Sequence, residues 1–262
     1  MGKDTGISWC DATWNPWQGC HPVSEGCANC YMYREKRQYG QDPTKIVRSA
    51  PQTFHLPQRL AKPSLIFVCS WSDFFIEEAD PWRPEAWEIM RQKTQHIYLL
   101  LTKRIERVPE CLPPDWPLGN VWLVVTAENQ AQADERIPQL LAIQAAGRFV
   151  SVEPMLGPIR MDDGYASWLT CDGRHAVDGE CCESYAVGGY HYHGIDWVIV
   201  GGETGPAGQR REMHPRWPYQ LYRQCDHMHI PFFGKQMSGP GPGMPLLIEG
   251  REVKEWPSNL RR

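Results

Sequence analysis

Two kinds of segment alternate along this chain, and that alternation limits its fold more than any other feature. Residues 64–70 (SLIFVCS) form an apolar, β-branched run; 81–95 then places Trp82, Ala86, Ile89 and Met90 at helical spacing. Residues 96–102 (HIYLLLT) read as a second such strand, with a short helix beyond. Next come 120–126 (NVWLVVT) and an amphipathic helix over 130–146, ended by Gly147. Residues 148–152 (RFVSV), 196–200 (DWVIV) and 231–234 (PFFG) complete the series, with a helix over 215–229 before the last. Near-continuous apolar strands separated by helices predict a parallel sheet buried on both faces. An opening strand near 6–13 brings the count to about seven. The expected fold is therefore α/β and barrel-like, and 262 residues suit one such domain over 1–262.

One interval breaks the rhythm. Between Pro154 and Asp196 the gap is almost double its neighbours and is rich in Gly, Asp, Cys and His, so 162–195 reads as an insertion. A tail, 240–262, begins at PGPGMP and is expected to pack over the barrel or its mouth.

Composition sets outer limits. Hydrophobic residues make up 42% and charged residues 22%, which is compatible with a core and argues against wholesale disorder. A net charge of −4 argues against gripping nucleic acid through the whole surface, though a local basic groove is compatible with it. No apolar run approaches a membrane span, and the first ten residues lack a signal peptide's apolar core. The expectation is a cytoplasmic protein with no membrane partner. In a reducing compartment, ten cysteines read as metal ligands, reactive thiols or small buried residues rather than disulfides.

Each expected strand delivers polar groups at its C-terminal end, where parallel α/β folds bind ligands. They are Ser70, Ser72 and Asp73; Thr102, Lys103 and Arg104; Thr126, Glu128 and Asn129; Ser151 and Glu153; Gly201, Gly202 and Glu203; Lys235 and Gln236. Any one of them could simply cap the next helix. Six strands ending this way favour a site.

The chemical signal is Cys20, Cys27 and Cys30 in GCHPVSEGCANC. Two thiolates two residues apart can meet one metal centre, and a third can return through the Ser24-Glu25-Gly26 turn. Three cysteines leave a fourth coordination position open, unlike a closed structural zinc site. A four-cysteine zinc knot with Cys10 as fourth ligand is the alternative. Simple burial of all three suits the loop less well, because it is polar and contains Gly and Pro.

These residues resemble the radical S-adenosylmethionine superfamily: a three-cysteine loop just after the first strand of a partial (β/α) barrel. The usual superfamily spacing has three residues between the first two cysteines, whereas this chain has six. More specifically, Trp14-Asn15-Pro16, the cysteine run with Tyr31, Leu100-Leu101-Thr102-Lys103-Arg104, Ser151-Val152-Glu153-Pro154 and Val200-Gly201-Gly202-Glu203 are similar to a phage-associated radical-SAM-like family. The resemblance implies a [4Fe–4S] cluster on Cys20, Cys27 and Cys30 that binds S-adenosylmethionine. One-electron reduction, from a flavodoxin- or ferredoxin-type donor, then yields methionine and a 5′-deoxyadenosyl radical. It places Ser70, Ser72 and Asp73 near the methionine amino group. Thr126, Glu128, Asn129 and Glu153 fall near the ribose hydroxyls and the methionine carboxylate, and Lys103, Glu203 and Lys235 face substrate. The superfamily's Gly-Gly-Glu triplet follows the second strand, but here it follows the sixth, so its role is not carried over.

The insertion holds Cys171, His175, Cys181, Cys182, His191 and His193. These are either an additional zinc site or a lid whose Cys and His residues cluster without metal. Twelve tryptophans raise the prospect of base stacking, yet most, such as Trp82, Trp87 and Trp122, sit where core packing accounts for them; Trp71 is the exception. Phage enzymes of the resembling kind take part in hypermodifying thymine in DNA, which implies an isomerase acting on a modified base, flipped out if the DNA is duplex. Lys103, Arg104, Arg210 and Arg211 would then form a phosphate-contacting edge, unless the arginines pair with acids such as Glu203 and Glu212. The contrasting class is a non-catalytic, zinc-stabilised phage accessory or binding protein.

Overall fold

A computed structural model describes residues 5–162, 167–169, 186–187, 190–191 and 194–260 of the chain. Its main sheet has seven strands: β1 (Ala12–Trp14), β2 (Leu65–Val68), β3 (Ile97–Thr102), β4 (Val121–Thr126), β5 (Arg148–Val152), β6 (Trp197–Gly201) and β7 (Phe232–Gln236). They lie side by side in chain order, and the registered pairs are parallel. This is the α/β partial-barrel architecture, with helices in the crossovers as parallel neighbours require. The longer helices are α1 (Tyr31–Gln38), α2 (Arg83–Gln92), α3 (Gln130–Leu141) and α4 (Arg216–His227). Among the described residues, no helix is long and apolar enough to cross a membrane.

The strands match the apolar runs closely because they are buried on both faces; β2, β4, β5 and β6 are buried at every position. Three elements lie or end elsewhere than expected. The opening strand is Ala12–Trp14, at the far end of the stretch near 6–13. Helix α3 stops at Leu141 rather than 146, and the chain beyond it carries no helical bonds past Ile143. Strand β7 continues beyond PFFG through Lys235 to Gln236. A polar pair extends it because Gly202 donates its amide to the Gln236 carbonyl at 2.9 Å, continuing the ladder.

Chain contacts group the protein into two compact units, 1–125 with 144–146, and 126–143 with 147–262. In the first unit the core is aromatic around β1–β3. Trp14, fully buried, stacks near Tyr98 at 5.9 Å and donates its indole N–H to the Phe54 carbonyl at 2.8 Å. Trp17, Phe74 and Trp87 continue the cluster at 5.1 and 4.9 Å. Trp87 and Trp122 are core residues, at 3% exposure each. In the second unit Phe149, Trp197, Phe233 and Trp256 form a chain of rings 4.8–6.1 Å apart. There the tail runs along β7: Gly234 donates to the Val253 carbonyl at 2.8 Å, and Glu255 accepts from the Phe232 amide at 3.0 Å. This covers the backbone edge that β7 would otherwise expose.

The cysteines and histidines of the insertion lie outside the described residues, except that His191 contributes backbone to a two-residue hairpin strand (Tyr190–His191).

Candidate functional site

The cysteine loop is anchored from beneath by a buried asparagine. Asn15, 1% exposed and just past β1, donates from Nδ2 to the Ser70 hydroxyl at 2.9 Å and accepts from the Trp71 amide at 2.8 Å. Its own carbonyl accepts from Ser49 at 2.7 Å. One side chain thus ties the end of β1 to the end of β2, leaving none of its groups unpaired in a dry setting. Gly19 follows at φ +92°, where a Cβ would stand 2.3 Å from the Lys45 carbonyl oxygen, so this turn requires glycine. Ser72 donates to the Gly19 carbonyl at 2.6 Å and Gly19 donates to the Trp71 carbonyl at 3.0 Å. Ser70 and Ser72, sequence candidates for a cofactor's amino group, are both bonded within this anchor.

Cys20, Cys27 and Cys30 are free and partly buried. Cys30 sits at the N-terminal end of α1, where the amides of Met32 and Tyr33, left over by the helix's first turn, favour its thiolate. The Cys27 sulfur lies 3.9 Å from the Ser24 hydroxyl. Arg104 Nη1 is 3.7 Å from the Cys20 sulfur, and its Nη2 donates to the His21 carbonyl at 2.8 Å. The three thiols share one neighbourhood: burial and then Cys20, Cys30 and Cys27 together push the Tyr33 phenol up to about 12. Tyr33 itself donates to the Cys20 carbonyl. Burial pushes the Cys20 thiol up to about 12, with the Asp73 carboxylate adding to the rise and Arg104 opposing it. Burial raises Cys30 as well, against the two amides.

Among the described residues, no three His, Cys, Asp or Glu side chains are gathered closely enough to hold one metal ion. Cys10, the fourth ligand of the zinc alternative, keeps its sulfur 3.9 Å from the Ile7 carbonyl and is not drawn into such a group.

Asp73 is 4% exposed and saturated. Its Oδ1 accepts from the Phe75 amide (2.9 Å) and the Thr102 hydroxyl (2.8 Å); its Oδ2 accepts from the Lys103 amide (3.0 Å) and Arg104 (3.2 Å). Thr102 in turn accepts from the Arg104 amide at 2.8 Å. The end of β3 therefore turns Arg104 inward onto the cysteine loop, at 7% exposure, rather than outward as part of a basic edge. Lys103 stands close enough to Cys30 to favour its thiolate.

The second unit carries the other candidates. Glu128 is fully buried against Arg136, 3.0 Å away, which also donates to the Thr126 carbonyl at 2.7 Å. The Thr126 hydroxyl is buried without a hydrogen-bond partner among the described residues. Asn129 caps α3, its side chain accepting from the Gln132 amide at 3.0 Å, which is the capping role available to any such residue. Glu153 pairs with Lys235 at 2.5 Å, each side chain about one-fifth exposed (22% and 20%). Glu203, 6% exposed, accepts from Arg211 through the amide at 2.8 Å and the guanidinium at 2.5 Å; Arg210 pairs with Glu212 at 2.9 Å.

Sequence reasoning passed over Asn15, Tyr33 and Arg136 as functional groups. Arg136, on the buried face of α3 among Ala133, Ile137 and Leu140, was detectable as a charge at a core position. Asn15 stood in the Trp14-Asn15-Pro16 segment that carries the resemblance, without a role of its own, and Tyr33 lies in the polar run YMYREKRQ, which gives no comparable signal.

A parallel α/β sheet with three thiols on the loop after its first strand defines the class: an α/β protein with a cysteine-bearing loop at the strand ends. The chain belongs to the family described as Protein of unknown function (DUF5131), whose model matches residues 4–244. Comparison with curated proteins and with solved structures gave no match.

Proposed function

We propose that this chain is a radical S-adenosylmethionine enzyme that carries a [4Fe–4S] cluster on Cys20, Cys27 and Cys30. The observation that carries the reading is the setting of the sulfurs: the Arg104 guanidinium 3.7 Å from Cys20, and Cys30 at the N-terminal end of α1. Positive groups beside sulfur offset part of the burial that raises these thiols, and hydrogen bonds to ligating sulfurs tune iron–sulfur clusters. The donor set fits.

Held by Cys20, Cys27 and Cys30, such a cluster would supply the one-electron reduction by which enzymes of this class cleave S-adenosylmethionine. The chain's own residues do the rest. Asn15, Ser72 and Gly19 hold the loop in place; Arg104 and the α1 amides stabilise negative charge on sulfur; the aromatic core beneath keeps water from the loop's underside. A flavodoxin- or ferredoxin-type protein is the electron partner that this reading requires.

Anaerobic reconstitution with iron and sulfide tests it. The expected product is brown, contains about four irons and four sulfides per chain as a [4Fe–4S] stoichiometry demands, and loses its charge-transfer absorption in Cys27→Ala. Stoichiometric zinc with no cluster would instead support the zinc-stabilised accessory protein. The finer reading, an isomerase acting on a modified thymine in DNA, is tested by turnover of modified-thymine DNA against the matching free nucleoside. Arg104, Arg210 and Arg211 are already engaged within the chain, so DNA binding that weakens with salt would have to draw on other cations.

A further inference from the structure

We infer that Arg104 and Asp73 form a fixed dipole that sets the reduction potential of the metal group on Cys20, with Arg104 raising the potential and Asp73 lowering it. This rests on the cluster reading above. The pair is dry: the side chains are 9% and 6% exposed, so solvent and salt screen it little. It is also rigid. Thr102, the Lys103 amide and the Phe75 amide fix the Asp73 carboxylate, and the His21 carbonyl fixes the far arm of the guanidinium. The remaining arm points at the Cys20 sulfur, 3.7 Å away.

A guanidinium beside a ligating sulfur stabilises the state with more negative charge, which is the reduced one. A carboxylate behind it does the opposite. Both influences already register on the Cys20 thiol, where Asp73 and Arg104 act with opposite sign. In the redox step, a flavodoxin- or ferredoxin-type protein gives up one electron, no proton moves, and no bond at Cys20 breaks. Arg104 is thus a positioning residue for the charge on the group, and it touches no reacting atom. Its neighbour Lys103 acts on Cys30 in the same sense from a less buried position.

The test is the midpoint potential of the reconstituted, full-length protein without S-adenosylmethionine, in Arg104→Gln, Arg104→Lys and Asp73→Asn, each normalised to its iron content. Arg104→Gln is expected to make reduction about tenfold less favourable, a fall of about 59 mV for a one-electron couple. Asp73→Asn keeps the shape and, with its oxygen toward the Lys103 amide, that acceptor, at the loss of the one for the Phe75 amide; its potential should rise. Arg104→Lys should lie nearer the parent than Gln does. Shifts of opposite sign cannot come from general loosening of the loop. Full iron content with unchanged potentials in Arg104→Gln and Asp73→Asn overturns the inference while leaving the cluster in place. Should Arg104→Gln fail to fold, Asp73→Asn decides alone: an unchanged or lower potential overturns the inference. A parent protein that binds zinc and never assembles iron and sulfide overturns the cluster reading, and this inference with it.

Discussion

Lys235 reaches over the intervening strand to Glu153, its Nζ 2.5 Å from Oε1, because a bulge and a glycine open the way. Val200 pairs with Gly234 and Gly201 with Gln236, so Lys235 is the extra residue of β7 and its side chain is re-aimed. Gly201 lies under the carboxylate: a Cβ there would stand 2.9 Å from Glu153 Cδ. The pair sits at the C-terminal ends of β5 and β7, the end of a parallel sheet where ligands bind.

The two neighbouring glycines should respond differently to alanine. Gly201→Ala displaces only the tip of a flexible side chain and loosens a part-exposed ion pair, a cost of about 0–1 kcal/mol. Gly202→Ala brings a Cβ to 2.2 Å from the Ser238 amide nitrogen, which is backbone, and an overpacking cost of about 1–3 kcal/mol follows. Urea unfolding of both variants measures the difference; equal midpoints would contradict the close approach of the Ser238 backbone.

Arg136 and Glu128 make the opposite kind of pair, with side chains 4% and 0% exposed. Arg136→Met leaves a buried carboxylate uncompensated and should cost about 3–5 kcal/mol. Combining it with Glu128→Leu should recover most of that loss, since an apolar pair needs no desolvation. A double variant no more stable than the single one would show that Glu128 is held by more than Arg136.

The layout of the sheet was legible because its strands are buried on both faces, so strand and apolar run coincide at β4 and β5 almost residue for residue. The end of α3 was not, because 142–146 keeps helical composition while its backbone groups bond elsewhere, as when Gln144 accepts from the Trp116 indole at 2.6 Å. At the candidate site the three cysteines stood out by spacing. The direction of Arg104 did not: a cation after a strand looks the same whether it faces solvent or sulfur, and only the saturated Asp73 carboxylate turns it inward.

Asn129 illustrates how a strand-end polar residue can be accounted for locally. Asn129→Ala removes the acceptor for the Gln132 amide and should cost about 1 kcal/mol of stability, whereas Asn129→Asp keeps the cap and should match the parent. If Asn129→Ala leaves stability unchanged and weakens S-adenosylmethionine binding instead, the residue contacts the cofactor rather than the helix.

Alkaline stability should fall through groups that have no part in the site. Cys225 and Tyr98 are both fully buried, and burial pushes the thiol and the phenol well above their ordinary values. In the unfolded chain they lose protons near pH 8.5 and 10, roughly as free side chains do, while the folded chain keeps both protons. The folded state binds more protons across that range, so stability is full below the unfolded values and declines as pH rises beyond them. Tyr98→Phe separates this effect from general alkaline damage. The Tyr98 hydroxyl has no hydrogen-bond partner among the described residues, so removing it should be neutral or stabilising by about 1 kcal/mol at pH 7. Above pH 10 the advantage should widen, because one ionisation that favours unfolding is gone. Urea midpoints of parent and variant at pH 7 and at high pH give the comparison, and a constant difference between them would mean that the Tyr98 phenol is not held neutral by burial.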